Sequence, residues 1–306
     1  MPDATPPERE SDRERAKRYF WDAWGVARDR PWWFLWRLAV DGLRAAAAPL
    51  VAVGLLLYSS AWAGLRIEAG ASPSRVAGRL LETVSSPFFV GATLGLAATA
   101  WLILSAVDSL VSGAVWGQIA DASTGRDERS FLTAMVGEFP RAWPFQLLES
   151  TVIGGLGLLG ALVGASVYVV LAASGPLELT VGRVALTTLV PFVYFVFAAL
   201  VRLGFAVAPA AIFVGGRSVP AAVYRGLERT VTDLASLYQL VVVAAGILLG
   251  PLLLLWAIVL AQALTGGSGA GLLLGLARLA AQFAVFAAWS AVWVLFYGAL
   301  FCFWPE

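Results

Sequence analysis

The chain contains no histidine, one cysteine and one lysine. Without histidine it has no imidazole to act as general base, to ligate a metal, or to activate a serine or cysteine nucleophile. Cys302 cannot close an intramolecular disulfide by itself, and no C-x-x-C pair exists to hold zinc. Charge is scarce as well. Only 13% of the 306 residues are charged and the formal net charge is +1, so no basic field is available for a nucleic-acid partner. There is no Walker A loop, no G-x-S-x-G elbow and no H-E-x-x-H. The stretch "DGLRAA" at Asp41 opens like the CDP-alcohol phosphotransferase signature and departs from it at Ala45-Ala46. Asp41 is better read as the partner of Arg37 at i, i+4 on a polar helix face. These absences lead us to expect neither an enzyme nor a cofactor nor a metal.

Apolar residues are plentiful: 59% of the chain is hydrophobic and the mean hydropathy is +0.79, far outside the soluble range. The class expected is an all-α polytopic integral membrane protein. Arginine greatly outnumbers lysine while alanine and glycine abound, which suggests a GC-rich, prokaryotic genome. The opening "MPDATPPERESDRERAKRYFWDAW" stays polar too long to be a cleaved signal peptide. It reads as a charged cytoplasmic tail, residues 1–26, ahead of one membrane domain, 27–306.

Runs long enough to cross a hydrocarbon core, about 20 residues each, lie at 45–65, 88–110, 151–173, 185–207, 237–264 and 271–303. They are continuous and rich in Ala and Leu, where a barrel would alternate, so six transmembrane helices are expected. Nine basic residues, Arg9 to Arg44, precede the first run. The next clusters, Arg126/Arg129/Arg141 and Arg217/Arg225/Arg229, fall in alternate loops, while the intervening loops carry Arg66, Arg75 and Arg79, then Arg183, then none. The positive-inside rule therefore puts both termini in the cytoplasm of a prokaryotic inner membrane.

Each cytoplasmic segment has a charged entry, "ARDR" (27–30), "GRDER" (125–129) or "GGRS" (215–218), and then an amphipathic stretch. At about 100° per residue, Arg37, Asp41 and Arg44 share an arc opposite Trp32, Leu35, Trp36, Ala39 and Leu43. Phe131, Leu132, Met135 and Phe139 form one face of the second stretch, and Val219, Val223, Leu227, Val231 and Leu234 one face of the third. All three read as short helices lying flat in the interface, the first ending before Pro49 and the span proper. Trp32, Trp33 and Trp36 would be interfacial anchors, with the charges among them on the wet side. The spacing of the three entries suggests tandem units at 27–120, 121–213 and 214–306.

Ionisable groups at membrane depth are expensive and therefore candidates for function. Asp108 and Arg202 reach similar depth near the cytoplasmic face and are candidates for an intramembrane ion pair, structural or gated, or for separate snorkelling to the interface. Arg278, with Gln282 on the same face, should snorkel outward. Gly91/Gly95, Ser105/Ser109/Gly113/Gly117, Gly160/Gly164, Gly246/Gly250 and Gly271/Gly275 repeat small residues every four, the pattern of close helix packing or of a homo-oligomer face. Pro191, Pro209 and Pro251 should kink or end helices.

Residues 202–243, "RLGFAVAPAAIFVGGRSVPAAVYRGLERTVTDLASLYQLVVV", order a span end with proline, a glycine turn, an Arg-bearing amphipathic helix and another span. This order resembles the six-helix membrane domain attached to some bacterial glycerophosphodiester phosphodiesterases, and related uncharacterised membrane families. The resemblance implies a membrane module without its hydrolase, and no functional residue carries over. The function expected is a non-enzymatic module that meets the lipid bilayer, anionic lipids or a protein partner at the cytoplasmic face. Arg13, Arg15, Lys17 and Arg18 of the tail would supply the basic charge. The alternative is a transporter or permease subunit with Asp108 and Arg202 near a gate.

Overall fold

The computed structural model describes residues 12–62, 86–172, 181–265 and 271–304, and all regular structure among them is helical. The elements are α1 (Asp12–Arg28), α2 (Trp32–Trp62), α3 (Pro87–Thr124), α4 (Phe131–Ala172), α5 (Val181–Phe213), α6 (Val219–Thr232), α7 (Leu234–Thr265) and α8 (Gly271–Phe303). Five of them, α3, α4, α5, α7 and α8, are long and apolar enough to cross a membrane. The helices start and stop where local chemistry directs. Ser86 caps α3 by accepting a 3.2 Å hydrogen bond from the Phe89 N–H, with Pro87 in the first turn, and Gly125 at φ 65° ends it in the left-handed conformation. Gly216, at φ 60°, makes the corresponding turn between α5 and α6.

The long helices alternate in direction, and nearly all burial falls at one end of them. Buried residues occupy α2 from Trp33 to Asp41, α3 from Ser105 to Asp121, α4 from Ala134 to Gln146, α5 from Gly204 onward, the start of α7, and α8 from Ser290 onward. Beyond these stretches the side chains of α3, α4, α5, α7 and α8 are largely exposed and apolar, as in Trp101, Ile103, Leu158, Phe192, Phe195, Leu253 and Trp256. The molecule thus has a packed half and an open half. Trp116 of α3 centres the packed half, with Phe145 (α4) at 5.7 Å, Phe213 (α5) at 5.5 Å, and Trp293 and Tyr297 (α8) at 5.8 and 5.3 Å between ring centroids.

Three crossings in this half depend on glycine. A Cβ at Gly113 or Gly117 of α3 would lie 2.8 Å from the Ala142 Cβ or 2.9 Å from the Glu138 Cγ of α4. Gly226 of α6 rests on the Gly204 carbonyl of α5, and Gly298 of α8 leaves 2.9 Å for a Cβ before Ala23 of α1. Small residues let backbones approach where lipid offers no hydrophobic drive to associate. Gly160 packs on Tyr194 in the same way, whereas Gly91, Gly95, Gly164, Gly246, Gly250 and Gly275 have no such neighbour.

The expected layout needs four corrections. Residues 12–28 are a docked helix and not a free tail: Ala16, Phe20, Ala23 and Ala27 are buried at helical spacing against the bundle. The first two amphipathic stretches are not separate elements but the beginnings of α2 and α4, and α2 passes Pro49 unbroken; only α6 stands alone. α5 and α7 likewise continue through Pro191, Pro209 and Pro251. The faces are inverted as well. Trp33, Arg37, Val40 and Asp41 point inward, and Trp32, Leu35, Trp36, Ala39 and Leu43 point outward. A surface of lipid favours apolar side chains outside and polar ones satisfied within, the reverse of a soluble helix. Arg66, Arg75 and Arg79, which entered the loop-charge count, lie outside the described residues.

Replacing Gly226 by Leu forces a side chain into backbone, and should cost about 1–3 kcal/mol, read as a lowered unfolding temperature in detergent. Gly246→Ala, with open space around it, should leave that temperature unchanged or slightly raised. Equal effects of the two would show that the α5–α6 crossing is not close-packed.

Candidate functional site: a polar layer between the two halves

Arg37 sits in the packed core with its side chain 4% exposed, held on every side. Its Nε and Nη2 donate to both carboxylate oxygens of Asp41 at 3.1 and 2.7 Å, one helical turn on. Its Nη1 donates to Asp108 Oδ1 at 2.7 Å and Ser112 Oγ at 3.1 Å, both on α3. Trp293 of α8 lies flat under the guanidinium, 4.2 Å from it to the ring centroid. Asp41 also accepts from Ser290 Oγ of α8 at 2.8 Å, and Asp108 from Arg44 Nη2 at 2.7 Å. Two arginines and two aspartates therefore balance, and they join α2, α3 and α8.

The ionic network spans about two turns of α2, from Arg37 to Arg44. Trp33 Nε1 donates to Gln118 Oε1 at 2.6 Å, and with Arg37–Ser112 and Arg44–Asp108 this fixes the antiparallel register of α2 and α3. On α4 and α5 the register is set by Phe145 against Phe205, 6.1 Å apart, and by Tyr194 Oη donating to the Leu156 carbonyl at 2.6 Å. Glu149 and Arg202 fall opposite one another between those two contacts. Glu149 is also in electrostatic reach of Arg202, Asp108, Arg44 and Arg37, and with Asp41 bonded to Arg37 the six ionisable groups gather into one polar layer about two helical turns deep.

Helix rise gives the layer a depth. From Asp108 to Pro87, and from Arg202 to Val181, is about 31 Å at 1.5 Å per residue. From Ser290 to Gly271 is about 28 Å on the same count. A hydrocarbon core is about 30 Å thick. The open half therefore matches the thickness of a hydrocarbon core, and the polar layer lies at the end of that half.

Of the readings open for Asp108 and Arg202, the candidate ion pair between them is absent among the described residues. Asp108 is 2% exposed and saturated by Arg37 and Arg44, whose shorter path across the α2–α3 contact wins. Arg202 is exposed on α5 and makes neither a hydrogen bond nor an ion pair among the described residues. Trp33 is no interfacial anchor, being 1% exposed and bonded to Gln118. Trp32 and Trp36 are exposed, and Trp36 stacks on Phe131 at 5.5 Å. Arg13, Arg15, Lys17 and Arg18 all lie on α1, with Lys17 and Arg18 exposed, Arg15 half-buried, and Arg18 over the Tyr19 ring at 5.5 Å. Arg278 and Gln282 are exposed on α8. Glu149 escaped notice because it stands just ahead of the apolar run at 151.

A second ionic cluster closes the α3–α4 corner. Arg129 donates to Asp121 at 2.8 and 3.2 Å and to Glu138 at 2.6 Å, Gln118 donates to the Arg129 carbonyl at 2.9 Å, and Arg30 pairs with Glu128. The hydrogen bonds that Arg129 donates to Asp121, then to Glu138, raise its guanidinium above its ordinary range. A raised cation pKa stabilises the fold fully below the ordinary arginine value, far above neutrality, so Arg129 itself brings no pH dependence in the physiological range. Among the described residues no group of three or more Asp, Glu or Cys is placed to hold a metal. No family model, curated protein or solved structure matches the chain.

Removing one partner of a buried ion pair leaves an uncompensated charge, a loss of about 3–5 kcal/mol. Asp108→Asn should therefore destabilise the protein by that order in a denaturation titration. Arg202→Gln, which breaks no internal bond, should stay within about 0.5 kcal/mol of wild type. The opposite ranking would remove Asp108 from the centre of the network.

Proposed function

We propose that the protein is a non-enzymatic six-span module of a prokaryotic cytoplasmic membrane, both termini inside, that organises lipids or partner proteins at the cytoplasmic face. The observation that carries this reading is the polar layer. On one side of it lies an apolar, exposed half of hydrocarbon thickness, and on the other a close-packed half that carries the exposed aromatics Trp21, Trp24, Trp32, Trp36 and Tyr238 and the basic face of α1. Aromatic rings and arginines at that height suit the headgroup region. The likeness of residues 202–243 to the membrane domain of glycerophosphodiester phosphodiesterases is part of the same proposal.

A transporter is the second reading. It is favoured by Arg202 and the half-buried Glu149, which hold opposite charges, not bonded to each other, on the floor of the open half.

Two measurements test the proposal together. Reporter fusions at both termini should give cytoplasmic signals, and a periplasmic reporter inserted at 63–85 should be active; the reverse pattern would overturn the orientation. Protein extracted in native nanodiscs should keep a fixed complement of lipid or a protein partner, and should pass no solute after reconstitution in liposomes. Solute flux abolished by Arg202→Gln would replace the module with the transporter.

A further inference from the structure

Arg37, Asp41, Arg44 and Asp108 all have bonded partners in the polar layer. Arg202 and Glu149 do not: among the described residues the guanidinium of one finds no acceptor and the carboxylate of the other accepts no hydrogen bond, although they face each other across α4 and α5. We propose that these two residues bind the head group of a phosphatidylethanolamine-type lipid, its phosphate on Arg202 and its ammonium on Glu149. The inference rests on the membrane reading above and names the lipid it would organise.

Four observations select this ligand. The first is the bonding deficit itself, since an exposed guanidinium at the edge of the hydrocarbon is costly until it meets an anion. Arginine's planar fork suits the paired oxygens of a phosphate diester. The second is depth. The layer stands about one hydrocarbon thickness, roughly 30 Å, from the far helix ends, where lipid phosphates begin. The third is the lining above it: Phe195 of α5, two turns above Arg202 on the same helix face, is exposed and apolar, a surface for an acyl chain.

The fourth is charge balance, and it decides between lipids. Arg37, Arg44 and Arg202 are matched by Asp41, Asp108 and Glu149, so the layer is neutral as a whole. An anionic lipid would bring an unmatched charge close to Glu149. A zwitterionic head group adds none, and it carries its cation two carbons from its anion, between two residues in electrostatic reach of each other with no ion pair joining them.

The test is native mass spectrometry of the full-length, delipidated protein titrated with phosphatidylethanolamine, phosphatidylglycerol or diacylglycerol, for wild type, Arg202→Gln and Glu149→Gln. Thermal unfolding in detergent, run alongside, should show all three folded. Wild type should prefer phosphatidylethanolamine over phosphatidylglycerol. Arg202→Gln should weaken it by about tenfold or more, the loss of a charged hydrogen bond. Glu149→Gln should erase the preference between the two phospholipids while both still bind better than diacylglycerol. Unchanged binding by Arg202→Gln, an equal or greater wild-type affinity for phosphatidylglycerol, or a preference that survives Glu149→Gln would overturn the site. Displacement of the lipid by millimolar inorganic phosphate would make it a free-anion site and overturn the lipid assignment. If the site fails while the reporter fusions hold their predicted pattern, the module stands and only its ligand is wrong.

Discussion

The buried guanidinium of Arg37 is the constraint from which the rest of the structure follows. A full charge has been taken into the core, and such a charge is tolerated only when its hydrogen bonds and counter-charges are complete. Asp41 supplies a bidentate partner from the same helix, Asp108 and Ser112 reach across from α3, and Trp293 of α8 offers its face. Meeting all of these at once fixes the height and rotation of three helices. Because lipid gives no hydrophobic reward for helix association, directional contacts of this kind carry specificity that apolar packing alone would not.

Below the layer, the packed half is assembled by one device used three times: the packed end of a long helix meets an amphipathic helical segment through small residues. The crossings are α3 with the start of α4, α5 with α6, and α8 with α1. The third is the unexpected one, because it gives α1 the role that the sequence had suggested for residues 30–44. This is a recurrence of packing, and it does not make the three units copies of one another. Above the layer the helices diverge in character, with large apolar side chains outward and few buried contacts. The charged residues thus separate a half built for its own neighbours from a half built for lipid.

Much of this was legible in the sequence, and the exceptions have common causes. Helix content and the positions of the long apolar runs follow from continuous hydrophobicity, and the turn near Gly216 from its paired glycines. The i, i+4 pairing of Arg37 with Asp41 was also readable. Periodicity, however, gives the angle between faces and not which face looks inward. Periodicity alone is therefore as consistent with Trp33 in the interface and the arc of Arg37 and Asp41 facing water as with the observed inward face. The α1 helix was hidden by its exposed charges: its buried stripe is mostly alanine, which carries little hydropathy but packs closely. The partner of Asp108 was missed because the nearest arginines lay in a segment read as outside the bundle.

The orientation of the first part of α2 is the most direct test of the account. Single cysteines from Trp32 to Arg44, placed in a Cys302→Ser background and spin-labelled, can be scanned for oxygen accessibility in lipid nanodiscs. The account predicts a helical period with minima at 33, 37, 40 and 41 and maxima at 35, 36 and 43. The same period with the opposite phase, oxygen reaching position 37 and not position 36, would mean that the charged arc faces outward and would contradict it.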